Sequence, residues 1–367
     1  MTVSDKLQSR TIDFLRFPLC VGVVLIHSEL FQLSIGGGKV IPQEELFPIY
    51  LHLSYLLTRI ADIAVKLFFF ISGFLFFYKI EDFNRKTYIG KIKKRARTVL
   101  VPYIFWNLLM LIMVAIFQQA FPNMMSGRKK LVADYSLLDW LSAFWAIGNE
   151  GEGAFAPIDY PLWFIRELMV VMIFSPIIYL FVKKLRKFGI VALALLWVSS
   201  LWKDVPGGSL TAILFFTAGG WFSINKKNFV EYLKPCLLWV TLAYCIVLLI
   251  LTYFMGELGE WRVPIERIGM LLGIASVITL SAYFLEKGIW RENTFLAKSS
   301  FFIFACHAFY VSMVQRCVME LVQPNDDFTL IIVYLLVPVI TVGIALYAYY
   351  FFKRFMPSFS AFITGGR

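Results

Sequence analysis

The chain has 367 residues, of which 59% are hydrophobic and only 16% are charged, whereas soluble domains are about 45–50% apolar and about 25% charged. A soluble fold needs a larger polar surface. The composition therefore excludes a soluble globular protein, a disordered chain, a coiled coil and a small disulfide-rich scaffold, and it indicates a chain that is solvated by lipid.

Ten apolar runs follow one another, and most reach the roughly 20 residues that a helix needs to cross a bilayer. Backbone polar groups cannot stay unpaired in lipid, so the runs are predicted to be helices. The sequence predicts an all-α polytopic membrane protein, a bundle of about ten transmembrane helices in a single domain over residues 1–367, with no fused soluble domain. The predicted helices lie near residues 11–33, 56–78, 98–120, 161–182, 188–202, 208–224, 235–255, 264–285, 300–322 and 328–352.

The positions of the basic residues predict the orientation of this bundle. If the N-terminus is cytoplasmic, 23 of the 35 Lys and Arg residues fall in cytoplasmic segments and 6 fall in outer loops. Cytoplasmic loops of membrane proteins carry an excess of Lys and Arg. We therefore predict that both termini are cytoplasmic. The net charge of +11 needs no nucleic-acid partner.

The first run carries Arg16 and His27, which are 11 residues apart. On a helix this is three turns, almost the same face, and a rise of roughly 16–17 Å. The pair would place a fixed cation near the cytoplasm and a titratable base toward the outside. Asp13 is positioned to contact Arg16 at i,i+3. A snorkelling Arg16 and a structural His27 are the alternatives.

The second run carries Arg59, Asp62 and Lys66 at i, i+3 and i+7, which is one helical face. Charges inside apolar helices are costly and need a partner or a wet cavity. The sequence leaves two interpretations open: a structural ion-pair strip, in which Asp62 pairs with Lys66, or a substrate-binding strip. Ser72 and Gly73 follow in FFFISGFLFFY, where small residues favour close helix packing.

The segment KIKKRARTVLVPY at residues 91–103 places a basic cluster just before the third predicted helix. The cluster includes Lys93, Lys94, Arg95 and Arg97. Two functions fit: an anchor for anionic lipid headgroups, or a binding site for a polyphosphate. The cluster by itself does not choose between them.

Two later runs also carry polar residues. The fourth run opens with YPLWFIREL, in which Trp163 suits a membrane interface and Arg166 and Glu167 lie a turn deeper. His307 lies in FFIFACHAFY of the ninth run. The five cysteines form no C-x-x-C pair and there are only three histidines, so no metal site is expected.

Five stretches in order resemble the acyltransferase-3 family, the integral-membrane O-acyltransferases of bacterial envelope glycans. They are TIDFLRFPLCVGVVLIH, FFFISGFLFFY, RTVLVPYIFW, PLWFIREL and FFIFACHAFY, and the closing SFSAFITGGR is also similar. One departure concerns the R-x-x-R pattern that the family often shows before the Pro-x-Tyr region. Here the chain reads Lys94-Arg95-Ala96-Arg97, so the phosphate-contacting positions differ in detail.

The resemblance implies a multi-pass protein of the bacterial inner membrane that moves an acyl group, acetyl above all, from cytoplasmic acyl-CoA to a hydroxyl on the outer side. The acceptor would be an envelope glycan or a lipid-linked sugar, and acetyl-CoA would be a substrate and not a permanently bound cofactor. His27 would remove the hydroxyl proton or carry the acyl group, and Arg16 would hold an anionic part of the donor. Lys93, Lys94, Arg95 and Arg97 would bind the donor, while the acceptor side would comprise Arg59, Asp62, Lys66, Trp163, Arg166, Glu167 and His307.

A secondary transporter, or an exporter of an envelope precursor or a small anionic solute, is the alternative function. Intramembrane charges and interrupted helices are also features of transporters. The two halves of the chain show no convincing internal repeat, which weakens this alternative.

Overall fold

The structure is a computed structural model that describes residues 3–30, 33–35, 38–40, 46–120, 130–147, 156–254 and 256–366. These residues form sixteen α-helices and one short antiparallel hairpin, β1 (Leu33–Ile35) with β2 (Gly38–Val40). The helices are α1 (Val3–Ile26), α2 (Pro48–Ala61), α3 (Ile63–Phe77), α4 (Arg85–Arg95), α5 (Val101–Ala120), α6 (Leu137–Trp145), α7 (Trp163–Ile173), α8 (Ser175–Val198), α9 (Leu210–Ile224), α10 (Phe229–Leu233), α11 (Leu237–Tyr253), α12 (Arg262–Glu286), α13 (Thr294–Cys306), α14 (Val311–Val322), α15 (Asp327–Phe355) and α16 (Pro357–Thr364).

All ten apolar runs lie largely on helices, so the helical fold class is confirmed. The number of transmembrane helices is not confirmed. Five helical segments of the described chain are long and apolar enough to cross a membrane, and two bent pairs bring the number to at most seven. The five segments are Pro48–Phe77, Arg85–Ala120, Phe229–Tyr253, Gly259–Glu286 and Asp327–Phe355. Both termini being cytoplasmic stays a prediction.

Charge and length explain the smaller number. The helix of the first run, α1, ends at Ile26 and carries Arg10, Asp13 and Arg16 among its apolar residues, so its apolar stretch is short. The sixth run forms α9, which has only 15 residues, against the roughly 20 that a bilayer requires.

The fourth, fifth and ninth runs form the two bent pairs. The helices α7 and α8 meet at an angle of 66° beside Phe174, and α13 and α14 meet at the same angle after His307. The predicted division between runs 161–182 and 188–202 matches a kink at Arg186, where φ is 53° inside α8. A positive φ is uncommon for a residue other than glycine.

The helices α3 and α9 cross at backbone distance in the centre of the core. A Cβ atom at Gly73 would lie 2.0 Å from the carbonyl oxygen of Phe216, and one at Gly219 would lie 1.9 Å from the carbonyl oxygen of Phe70. Only glycine permits this approach, which confirms the close packing predicted at Gly73.

Candidate functional site

A cavity of about 310 Å³ brings three cationic side chains together from separate helices. Arg16 comes from α1, Arg95 from the end of α4 and Lys298 from α13, and the hydroxyl-bearing Ser72 and Ser300 also line the cavity. We call this cavity the basic pocket. Its polar groups converge from four helices, which is typical of a ligand site.

Arg16 keeps its predicted local partner inside this arrangement. Its Nη1 lies 3.1 Å from Oδ1 of Asp13, and both side chains are partly exposed. The predicted i,i+3 contact is therefore confirmed. Asp13 pairs with one of the three cations that line the pocket, and the described lining residues include no carboxylate. The pocket therefore carries an excess of positive charge and suits an anionic ligand.

Of the four residues predicted to bind a donor, only Arg95 lines the basic pocket. Lys93, Lys94 and Arg97 are exposed and do not line it. A π-helical turn over Ala96–Leu100 separates α4 from α5, and the extra residue in such a turn rotates the faces of the two flanking helices. Single π turns are frequent at functional sites.

The C-terminal helix packs against this π turn. Nε1 of Trp106 donates a hydrogen bond of 2.9 Å to the carbonyl oxygen of Ile363. Gly365 has a φ of +71°, and a Cβ atom there would lie 2.1 Å from the carbonyl oxygen of Thr98. The following Gly366 lines the basic pocket, so the end of the chain forms part of its wall.

A second group of residues surrounds His27 where three helices end or break. His27 follows the last residue of α1, His307 begins the 3-10 turn after α13, and Tyr160 begins the 3-10 turn before α7. The His27 ring stacks on His307 at 5.3 Å between centroids, and it meets the Tyr160 ring edge-on at 4.8 Å. We call this group the histidine pocket.

The two histidines of this pocket differ in burial and in their contacts with backbone carbonyl groups. His307 is fully buried, and its Nδ1 contacts the carbonyl oxygens of Ile303 at 3.2 Å and Phe304 at 2.8 Å. His27 is only partly buried. Because two carbonyls fix the His307 ring, His27 is better placed to exchange a proton with a substrate.

One aromatic layer separates the two pockets. Phe304 lines the basic pocket, and its ring centroid lies 6.2 Å from that of His307. Phe164 also lines the basic pocket and lies 5.8 Å from Phe304. The basic pocket therefore ends against the side chains that support the histidine pocket.

Arg166 and Glu167, predicted on the acceptor side, are buried and bound by protein groups. Nη2 of Arg166 lies 2.7 Å from Oε1 of Glu167, and Arg166 also donates to the carbonyl oxygen of Trp145. Glu167 accepts hydrogen bonds from the backbone N–H groups of Gly207 at 2.6 Å and Ser209 at 3.1 Å. This pair joins three segments of the chain, so its geometry is that of a structural link.

Trp163 likewise packs into the core, with its ring 6.4 Å from that of Phe69.

Arg59, Asp62 and Lys66 lie beside α12. Arg59 forms ion pairs with Glu266 at 3.0 Å and with Asp62 at 3.8 Å. The spacing had suggested that Asp62 pairs with Lys66. Among the described residues, the ion-pair partner of Asp62 is instead Arg59. Glu29, two residues after His27, interacts electrostatically with Asp62 and Arg59. The ion-paired strip thus extends toward the histidine pocket.

Two residues of these pockets were missed in the sequence. Lys298 precedes the FFIFACHAFY motif and falls in a segment that the sequence predicted to be a charged loop, where a single lysine gives no signal, but in the structure it lies on α13. Asp159 lies in a long loop just before Tyr160 and is fully buried. Burial raises the pKa of the Asp159 carboxyl well above its usual range, because the charged form is poorly solvated there.

Comparison with known proteins bears on the whole chain. The family model described as "Acyltransferase domain", that of the acyltransferase-3 family, matches residues 10–350. Among curated proteins, the chain is similar to the succinoglycan biosynthesis protein ExoH of Rhizobium meliloti (strain 1021). The two are 25% identical over 374 residues, which cover 99% of this chain and 94% of ExoH. No solved structure matches the chain.

Proposed function

The chain belongs to the acyltransferase-3 family, and from this premise we propose that it is a membrane O-acyltransferase that uses cytoplasmic acyl-CoA, in the first place acetyl-CoA. It would acylate a hydroxyl of an envelope glycan, or of a lipid-linked sugar, on the outer side of the bacterial inner membrane. The similarity to a succinoglycan biosynthesis protein supports a polysaccharide acceptor.

The observation that carries this proposal is the basic pocket behind the histidine pocket. Coenzyme A presents several phosphate charges at one end and a thioester at the end of a thin arm. Arg16, Arg95 and Lys298 would bind the phosphates through charge-assisted hydrogen bonds. The arm would then pass the Phe164 and Phe304 layer and bring the thioester to His27.

His27 would act as the base of the reaction. Its imidazole would take the proton of the acceptor hydroxyl as that oxygen attacks the thioester carbonyl. The carbon–sulfur bond then breaks, and the imidazolium returns the proton to the departing thiolate of coenzyme A. A neutral imidazole beside aromatic rings suits this role because it starts without a charge to neutralise.

The test uses the purified protein in proteoliposomes that carry acetyl-CoA labelled in the acetyl group on one side and a succinoglycan oligosaccharide on the other. We expect release of free coenzyme A thiol and an equal amount of ester-linked label on the oligosaccharide. Passage of intact labelled solute across the membrane, with no thiol release, would instead establish transport and overturn the proposal. The variant His27→Ala supplies the background of both measurements.

A further inference from the structure

Asp159 is a buried acid whose carboxyl group is unsatisfied by hydrogen bonds among the described residues. The residue is fully buried, and neither carboxyl oxygen has a hydrogen-bond partner among the described residues. Its backbone N–H, in contrast, donates to Oδ1 of Asn107 at 3.2 Å. Asn107 is itself buried and donates to the carbonyl oxygen of Tyr103 at 2.9 Å. The fold therefore fixes the backbone of Asp159 and leaves its buried carboxyl group without a hydrogen bond in the part of the chain that the structure describes.

Such a group is costly for a folded protein to keep. Burying a polar side chain without a partner loses its hydrogen bonds to water and gains none in return. Unpaired buried groups of this kind are rare, and a native structure retains one for a reason such as ligand binding. The carboxyl group can donate when it is protonated and can accept in either state.

The position of Asp159 relates it to the histidine pocket. It immediately precedes Tyr160, whose ring contacts His27, and it interacts electrostatically with Cys306, the residue before His307. His307 carries a second unsatisfied group: its Nε2 is buried and has no hydrogen-bond partner among the described residues. Two unpaired polar groups thus accompany the partly buried His27.

We propose that the Asp159 carboxyl and Nε2 of His307 form an acceptor subsite that hydrogen-bonds hydroxyls of a sugar and presents one of them to His27. Sugars carry adjacent hydroxyl groups that both donate and accept, which matches one carboxyl and one imidazole nitrogen. This inference rests on the acyltransferase function proposed above and names the groups that would recognise its acceptor.

The experiment compares Asp159→Asn and Asp159→Leu in the purified full-length protein, with kcat and the acceptor KM measured at saturating acetyl-CoA. Asn retains the size and most of the hydrogen-bonding capacity, whereas Leu has the same branching but is larger and apolar. We expect the acceptor KM to rise at least tenfold in Asp159→Leu and less in Asp159→Asn. The donor Kd should stay at the wild-type level in both variants, because Asp159 does not line the basic pocket.

A thermal unfolding measurement separates recognition from folding. If Asp159 serves only the acceptor, Asp159→Leu should unfold at or above the wild-type temperature, because it removes an unpaired buried polar group. Should the Leu variant fail to fold, Asp159→Asn decides, since it preserves the shape of the site. Asp326→Asn, at an exposed helix-capping aspartate, is the matched control and should leave the acceptor KM unchanged.

An unchanged acceptor KM in a folded Asp159 variant would overturn the subsite. That result differs from failure of the proposed function, in which the wild-type protein itself would transfer no acyl group to any acceptor.

Discussion

The basic pocket and the histidine pocket lie one aromatic layer apart, but their residues differ in charge and in burial. The basic pocket is partly open and collects three cations from distant segments. The histidine pocket is lined by aromatic rings and keeps a buried acid and a fixed imidazole beside the partly buried ring of His27. The first environment suits binding of a charged donor through electrostatics, and the second suits movement of a proton in a site with little water.

This contrast teaches that the two functions of the site are separable. A change in the histidine pocket should lower the rate of transfer and leave donor affinity intact. A change in the basic pocket should weaken donor binding and leave the transfer rate at saturating donor intact. Substitutions in each pocket test this separation.

His27→Ala should lower kcat for acyl transfer by about 10²–10⁴-fold, the usual contribution of a positioned base. The donor Kd should stay at the wild-type value, because Arg16 and Arg95 are untouched. Steady-state transfer and equilibrium binding of acetyl-CoA measure the two quantities.

The matched control is His52→Ala, at a histidine whose Nδ1 contacts the carbonyl oxygen of Pro48 on α2. It should turn over like the wild type. Turnover at the wild-type rate in His27→Ala would remove His27 from the mechanism and transfer the role of base to His307.

Arg95→Gln should weaken acetyl-CoA binding about 10- to 100-fold, because a charge-assisted hydrogen bond is worth about 1.5–3 kcal/mol and each tenfold costs about 1.4 kcal/mol. The kcat at saturating donor should change little. The sequence alone had placed Arg97 beside Arg95 as an equal contributor. Since Arg97 is exposed and outside the pocket, Arg97→Gln serves as the matched control and should have a much smaller effect.

Salt sharpens this comparison. Screening weakens exposed charge interactions, so the difference in donor Kd between the wild type and Arg95→Gln should shrink as ionic strength rises. Equal donor affinity in the wild type and a correctly inserted Arg95→Gln variant would return the basic cluster to a role in binding lipid headgroups.

Gly365→Ala should destabilise the wall of the basic pocket. The left-handed backbone alone costs a non-glycine residue about 1–2 kcal/mol, and the new Cβ would also collide with the carbonyl oxygen of Thr98. We expect a lower unfolding temperature and weaker donor binding, measured by thermal unfolding and by acetyl-CoA titration.

The control for this change is Gly288→Ala, where φ is +72° and a Cβ atom would have open space. It should show the backbone cost without the effect on donor binding. Equal effects of the two substitutions would mean that the C-terminal helix does not support the pocket.

Asp139 should give the smallest effect, which is a change in how the stability of α6 depends on pH. Hydrogen bonds from Lys130 and Ser136 hold the pKa of this exposed carboxyl near the start of α6 down to about 2. Because the folded pKa lies below the ordinary value near 3.8, the stabilisation is present above that value and is lost as pH falls toward 2. Asp139→Asn should remove this pH dependence, and hydrogen exchange of α6 between pH 5 and pH 2 would detect it. A wild-type α6 with the same profile as the variant would contradict the prediction.

Much of the fold was predictable because its causes are local. Hydropathy alone locates the apolar helices, since each must satisfy its own backbone in lipid. The contact of Arg16 with Asp13 follows from helical spacing, and the close crossing at Gly73 follows from the small residue that permits it. The number of spans was less predictable, because the 66° bends at Phe174 and Tyr310 depend on how successive helices pack.

The candidate site residues also divide into those that the sequence indicates and those that only the tertiary structure brings together. The sequence by itself indicated the helical membrane fold, the family, and Arg16 and His27 as candidate site residues, because these depend on local hydropathy and on a motif within one apolar run. Only the tertiary structure selected Arg95 from its basic neighbours, added Lys298 and Asp159, placed His307 against His27, and bound Arg166 and Glu167 to each other. The physical reason is that each of these outcomes depends on which helices become neighbours and on which polar groups form hydrogen bonds as a result. The spacing of residues along a single helix does not encode the neighbours of that helix or their hydrogen bonds.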